Sequence, residues 1–198
     1  MSTVYVFGHK NPDNDAIMSA VVLSQLLNQV NYDGNEYKAC ALGALPAESA
    51  KLLAEVGVAE PEQIESVEAG QLVVLTDHNE SAQSVEGLKG AVVAGVVDHH
   101  RIGDFETAAP LHYICLPWGS SCTIVAKLFE VLGQQPTDVQ AKLLLSAMMT
   151  DTLMLKSPTT TDVDRAMAAK LGQQVGVDPV KFGMEVFLSR PSGSFTAA

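Results

Sequence analysis

Val4-Tyr5-Val6-Phe7-Gly8-His9-Lys10-Asn11-Pro12-Asp13-Asn14-Asp15 is the stretch whose reading decides the fold. Its first four residues read as a buried strand and the following Gly, Pro and Asn residues as a turn. From Ala16 to Val30 the apolar residues Ile17, Val21, Leu26, Leu27 and Val30 then recur at helical spacing. Asp13 and Asp15 therefore stand at a strand-to-helix turn, where a carboxylate caps the helix and complements its positive end. Two more apolar runs end in the same manner. Leu72-Val73-Val74-Leu75 leads to Asp77-His78, and Val92-Val93-Ala94-Gly95-Val96-Val97 leads to Asp98-His99-His100. Buried parallel strands are near-continuous apolar runs, and open α/β sheets place ligand sites outside the carboxyl ends of such strands. Three polar tips on three such strands point to one site.

The rest of the chain alternates in kind. Strands are expected over residues 36–42 and 111–116, and helices over 47–56, 81–88 (a short one), 119–132, 137–150, 162–175 and 177–188. This order predicts an α/β domain, a parallel-type sheet flanked by helices on both faces. Gly119-Ser120-Ser121-Cys122-Thr123 opens one of the helices, and its amides and hydroxyls read first as an N-cap and second as a phosphate contact. The acidic run Glu60-Pro61-Glu62 reads as solvated loop.

With 198 residues and 47% hydrophobic content, the chain is long enough to bury a sizeable core. Its apolar runs fall short of a membrane span, and its first residues lack a signal peptide's basic start and cleavage pattern. The expected compartment is the cytoplasm. Cys40, Cys115 and Cys122 are odd in number and lack zinc spacing, so they read as thiols without disulfides. A formal net charge of −11 disfavours a nucleic-acid surface but is compatible with a small anion held through metals.

Asp151 follows the apolar run Leu143-Leu144-Leu145-Ser146-Ala147-Met148-Met149-Thr150 and is expected at a buried helix end. The candidates are then His9, Asp13, Asp15, Asp77, Asp98, His99, His100 and Asp151, mostly anionic and without matching Lys or Arg. Carboxylates crowded in a partly dry cleft repel one another unless cations intervene, and divalent metals are the economical answer. Carboxylates with imidazoles and no thiolate suit Mn, Mg, Co or Fe better than structural zinc. So many ligands suit two ions roughly 3.5–4 Å apart, sharing a carboxylate, the arrangement that hydrolyses phosphate esters and anhydrides.

His9-x-x-x-Asp13-x-Asp15, Asp77-His78-Asn79-Glu80, Asp98-His99-His100 and Thr150-Asp151 resemble, in order and spacing, the motifs of the DHH phosphoesterase superfamily. The fuller stretches Gly8-His9-Lys10-Asn11-Pro12-Asp13, Asp98-His99-His100-Arg101-Ile102 and Lys156-Ser157-Pro158-Thr159 are similar to those of the manganese-dependent family II inorganic pyrophosphatases. The resemblance implies hydrolysis of pyrophosphate to two phosphates at two divalent ions, Mn²⁺ preferred, with Co²⁺ or Mg²⁺ as alternatives. It implies that His9 and Asp13 hold one metal and Asp15 and His99 the other, with Asp77 bridging as a catalytic ligand and Asp151 also a ligand. His100 is implied as the catalytic residue that faces and binds the substrate. Asp98 would orient an imidazole from behind, with His78 and Asn79 in similar supporting roles. It also implies a homodimer formed through edge strands of this domain, with residues 113–116 as the candidate.

The family's pattern continues into a second domain whose Arg and Lys residues grip the substrate, whereas this chain ends at Ala198. Residues 1–188 are accordingly expected to form the DHH catalytic metal-binding domain, and residues 189–198, rich in Ser, Gly and Pro, a linker or disordered tail. The C-terminal substrate-clamping domain is read as absent, and turnover as impaired. Two alternatives stand beside pyrophosphate hydrolysis. One is a DHH-type oligonucleotide phosphodiesterase or exonuclease, which should carry a basic channel. The other is a non-catalytic metal-binding dimerisation module.

Overall fold

The structure, a computed structural model, describes residues 1–191. Six strands form one sheet: β1 (Thr3–Phe7), β2 (Glu36–Ala41), β3 (Glu62–Gln63), β4 (Leu72–Thr76), β5 (Val92–Asp98) and β6 (His112–Cys115). All pair in parallel, in the order β3-β2-β1-β4-β5-β6. The chain lays strands outward from β1 to β3, then returns to the other side of β1 and lays β4 to β6 outward. The order therefore reverses between β1 and β4, and a crevice opens there at the carboxyl ends. His9 and Asp77 follow those two strands.

Strand side chains alternate between two cores, as a period of two requires. Val4, Val6, Val74 and Val97 face one of them, and Tyr5, Phe7, Val73, Leu75 and Val96 face the other. The first core is closed by α1 (Asn14–Gln29), α2 (Ala47–Glu55), α3 (Ser121–Val131), α4 (Asp138–Asp151), α5 (Asp162–Val175) and α6 (Pro179–Leu188). Helix α4 is buried continuously from Leu143 to Thr150 because α1, α3, α5 and α6 surround it, so its residues Leu143 to Leu145 and Ala147 to Met149 carry no polar stripe. Phe129 of α3 is fully buried in this core, where truncation to Ala costs about 3–5 kcal/mol.

The α/β class and parallel sheet are as expected, and the cover on the two faces is unequal. The second core is closed by ordered loops and two single 3₁₀ turns, Ser81–Gln83 and Leu88–Gly90, where the sequence suggests a short helix over residues 81–88. The reason lies in the backbone. Glu86 donates to the Glu65 carbonyl and accepts from the Val67 amide, and Gly87 turns left-handed at φ 85°, so these residues form a bridge instead of a helical turn. Glu62 is likewise no free loop residue. It opens edge strand β3 beside β2 and pairs with Lys38.

Helix α6 ends at Leu188, and the next residues stay attached: Arg190 pairs with Glu48 at 2.7 Å and stacks over Phe187 at 4.6 Å. Residues 192–198 of the expected tail lie outside the described residues. Cys40 and Cys122 are buried, Cys115 is half-buried, and all three are free thiols. Among the described residues no helix is long and apolar enough to cross a membrane.

Candidate metal centre

The β1-to-α1 turn is built by close approach. A Cβ on Gly8 would lie 2.5 Å from that of Ala16, so only glycine lets the first turn of α1 settle onto the strand. Asp13 caps α1 by accepting from the Ala16 amide at 2.9 Å, and Asp15, in the first turn, is buried. After β4 the chain bends through Asp77 at φ 59°, a left-handed conformation that Asp tolerates better than most residues. This bend divides the Asp77 carboxylate between two imidazoles.

His9 Nε2 lies 3.5 Å from Asp77 Oδ2 and 3.6 Å from Asp13 Oδ2. His99 Nε2 lies 3.2 Å from Asp77 Oδ1, 3.4 Å from Asp151 Oδ2 and 3.8 Å from Asp15 Oδ2. Three groups bring their ligand atoms within 4.8 Å of one another: His9, Asp13 and Asp77 form one donor set, Asp15, His99 and Asp151 a second, and Asp77, His99 and His100 a third that links them. Asp77 stands between them. The imidazoles are pre-set for ligation: His9 Nδ1 donates to the Lys10 carbonyl at 2.8 Å and His99 Nδ1 to the Trp118 carbonyl at 2.9 Å, which leaves each Nε2 facing the carboxylates.

The charge balance fits cations. Burial and the neighbouring Asp77 push Asp15 up to about 7, and burial with the charge of Asp15 pushes Asp151 up to about 9. Burial pulls the two imidazoles down, but the hydrogen bonds of His9 to Asp13 and Asp77 raise it to about 11. For His99 the bond to Asp77 and the charge of Asp15 win, raising it to about 10. Burial works against ionised Asp77 too, yet the bonds from His9 and His99 hold its carboxyl well below the usual range. Protons on these imidazoles stand where divalent ions would neutralise the same carboxylates, so the residues present fit metal.

His100 differs from its neighbour. Its Nδ1 donates to Asp98 Oδ1 at 2.8 Å, and this bond raises its pKa. The ring is half exposed and lines a cleft of about 350 Å³ with His9, Asp77, Gln83 and Arg101. Asp98 is fully buried and also accepts from the His99 and His100 amides and from Asn79 Nδ2 at 2.7 Å. The imidazole that Asp98 orients is thus that of His100, while His99 is oriented by Trp118. His78 donates to the Thr76 carbonyl at 2.8 Å and bonds Ser84 Oγ at 3.0 Å, and burial lowers it to about 4. Its bonds brace the loop behind Asp77 and reach no candidate ligand.

Sequence reasoning assigned no ligand-holding role to the residues that grip Asp15. Ser120 Oγ and the Cys122 amide donate to its Oδ1 at 2.7 and 3.0 Å, the Ser121 amide donates to its Oδ2 at 2.7 Å, and Ser121 Oγ donates to Asp77 Oδ1 at 3.0 Å. Ser120 is indeed the N-cap of α3, but these donors are buried and spent on ligands, leaving none for a phosphate. Asn14 was missed as well. It bonds Ser49, Ser146 and Thr150, tying α1 to α2 and α4 beneath the site.

The fold and site define a class, a parallel α/β domain with a carboxylate–imidazole centre suited to two metals at the strand-order reversal. The family model described as DHH family, N-terminal domain, matches residues 3–154, and the chain belongs to that family. It is 42% identical over 187 residues to a protein of Exiguobacterium sp. described as a probable manganese-dependent inorganic pyrophosphatase, and 43% identical over 188 residues to one of Streptococcus agalactiae serotype Ia so described. Each match covers 94% of this chain and 60% of the relative, so the chain spans about 60% of the length of these curated relatives. Among solved structures, a Methanococcus jannaschii protein described as a "putative family II inorganic pyrophosphatase" superposes with TM-score 0.83 at 38% identity, covering 94% of this chain and 61% of that one. An exopolyphosphatase-related protein from Bacteroides fragilis shares the fold at TM-score 0.70 and 17% identity, with 96% and 57% covered.

Proposed function

We propose that this domain hydrolyses inorganic pyrophosphate to two phosphates at two divalent ions, Mn²⁺ preferred. The observation that carries the proposal is the division of the Asp77 carboxylate, Oδ2 toward His9 and Oδ1 toward His99, between two complete donor sets. The relatives' descriptions as manganese-dependent pyrophosphatases support the substrate and the metal. In this reading His9 and Asp13 hold one ion, Asp15, His99 and Asp151 hold the other, and Asp77 joins them.

Two ions held there would draw in the anionic phosphoryl oxygens and bring a bound water's pKa toward neutrality. The chain's own residues do the rest. His100, fixed through Nδ1 by Asp98, offers its other nitrogen to a phosphate in the cleft and donates a proton to the leaving group or a hydrogen bond to its oxygen. Asp98 keeps the imidazole in one tautomer and stabilises its protonated form. Among the described residues lining the cleft, Arg101 carries the permanent positive charge, and it is paired with Glu80 at 2.6 Å. Charge neutralisation of a tetra-anionic substrate by these residues is therefore modest, and the 198-residue chain alone is proposed to turn over slowly.

The outer edge of β6 supports a homodimer formed by strand addition, since unpaired edge groups seek partners. A cytoplasmic location and the absence of nucleic-acid and membrane partners complete the proposal. Phosphate release from pyrophosphate with Mn²⁺ tests it beside Asp77→Ala. Release that depends on Asp77 supports it. Cleavage of a short oligonucleotide in preference to pyrophosphate, or two bound ions with no hydrolysis of either, would replace it with the phosphodiesterase or the non-catalytic reading.

A further inference from the structure

Asp164 stands in the first turn of α5, is fully buried, and serves two helices. On its own helix the Thr161 amide and Oγ1 each donate to its Oδ2 at 2.7 Å, which completes a capping box. The other two donors come from α3 and the residue before its cap: the Gly119 amide to Oδ2 at 2.9 Å and Thr123 Oγ1 to Oδ1 at 2.6 Å. Capping α5 requires neither of these.

The residues between those two donors are the ones that hold the metal centre. Ser120, Ser121 and Cys122 grip Asp15, Ser121 also donates to Asp77, and the carbonyl of Trp118, next to Gly119, orients His99. Asp164 thus anchors the five-residue span from Gly119 to Thr123 at both of its ends, and that span, with Trp118, sets three candidate ligands at once. Gly119 packs closely against both sides of this arrangement. A Cβ there would lie 2.6 Å from Thr152 Cγ2 and 3.0 Å from Asp164 Oδ2, and Thr152 directly follows Asp151.

We propose that Asp164 is a positioning residue of the metal centre, acting through the Trp118–Thr123 segment on Asp15, Asp77 and His99. The inference rests on the metal-centre reading given above. Partners one step behind metal ligands change metal affinity by about 10–100-fold when removed, and a carboxylate that sets three ligands together falls in the same range.

The test is calorimetric titration of the purified 198-residue chain with Mn²⁺, with folding checked by circular dichroism. Asp164→Ala is expected to weaken Mn²⁺ binding about tenfold or more. Asp164→Asn, which keeps an acceptor for Gly119 and can meet the Thr123 hydroxyl with its amide, is expected to restore most of the affinity. Thr123→Val, isosteric and cut only on the α3 side, should weaken binding about threefold to tenfold, on the same scale. Thr161→Ala, cut only on the α5 cap, should lower the melting temperature and leave Mn²⁺ affinity within about twofold, because the Gly119 and Thr123 bonds remain. This last pair decides the question even if Asp164→Ala fails to fold. Unchanged affinity in Thr123→Val, or an equal loss in Thr161→Ala, would overturn the proposal and leave Asp164 a structural cap. Failure of the unsubstituted chain to bind two Mn²⁺ would instead overturn the metal-centre reading.

Discussion

The backbone amide of Ser121 donates to Asp15 Oδ2 at 2.7 Å, so the first turn of α3 grips a carboxylate presented by α1 from 106 residues away. The positive end of one helix is thereby used to hold an acid at the start of another, in a site with no solvent to do so. On its other side Asp15 Oδ2 faces His99 Nε2 at 3.8 Å.

Asp77 belongs to the donor set of His9 and reaches across to His99 of the other, at 3.5 and 3.2 Å. Asp77→Ala should abolish tight binding of at least one Mn²⁺ and lower pyrophosphate turnover by more than about 100-fold, since losing a ligand exceeds the loss of a partner behind one. Calorimetry and phosphate release check the two halves separately. Two tightly bound ions in the variant would remove Asp77 from the bridge.

His100 makes the opposite separation. Because its Nδ1 belongs to Asp98, His100→Asn should leave Mn²⁺ stoichiometry and affinity unchanged while lowering kcat by about 10²–10⁴-fold. A variant that loses metal would instead place His100 among the ligands.

The metal-free protein should lose stability as pH rises. His9 and His99, raised to about 11 and about 10, contribute stability that is complete below the unfolded imidazole value of 6.5 and vanishes as pH passes through those raised values. Asp15 and Asp151, raised from 3.8 to about 7 and about 9, begin to cost stability above 3.8, and the cost is complete once both are ionised. Both effects run in one direction, so the melting temperature without metal should fall from about pH 6 to about pH 9. Bound Mn²⁺ displaces the imidazole protons and neutralises the carboxylates, so the increment it adds should grow over the same range. Scanning fluorimetry with chelator and with Mn²⁺ measures both, and a metal-free melting point that rises with pH would contradict the assignment.

Leu153, Met154 and Leu155 occupy three successive left-handed conformations, at φ 48°, 54° and 63°, directly after Asp151 and Thr152. Each costs an L-residue about 1–2 kcal/mol. The turn is retained by Thr152, whose Oγ1 accepts from the Leu155 amide at 3.1 Å and whose carbonyl accepts from Lys156 and Ser157. Leu153 is half exposed, so Leu153→Gly should relieve its share of the strain against glycine's entropic cost and stabilise the fold by about 0.5–1 kcal/mol in urea titration. Destabilisation would show that Leu153's own contacts outweigh the backbone term.

Much of the candidate site was legible because its proposed ligands end local patterns. His9, Asp13, Asp15, Asp77 and His99 each follow an uninterrupted apolar run or open a helical one, and parallel strands bring such ends together. Asp151 was legible for the same reason, at the end of the apolar run from Leu143 to Met149. The turn after it was not. Leu-Met-Leu continues the composition of α4, and nothing in those residue types announces a reversal of φ. The short helix expected over residues 81–88 failed for a related cause: the amide and carbonyl of Glu86 are claimed by residues 65 and 67, a pairing that leaves no period in the sequence.

By itself the sequence determined the α/β class, the parallel strands and the ligand types at their ends, because apolar periodicity and turn chemistry are local properties that residue order displays directly. Only the tertiary structure decided that the six α-helices of the described residues share one face, that Trp118 to Cys122 hold His99, Asp15 and Asp77, and that Asp164 anchors that segment. The physical reason is that these are buried hydrogen bonds between groups 19 to more than 100 residues apart. Burial makes them obligatory, but which donor meets which acceptor is settled only when the helices pack.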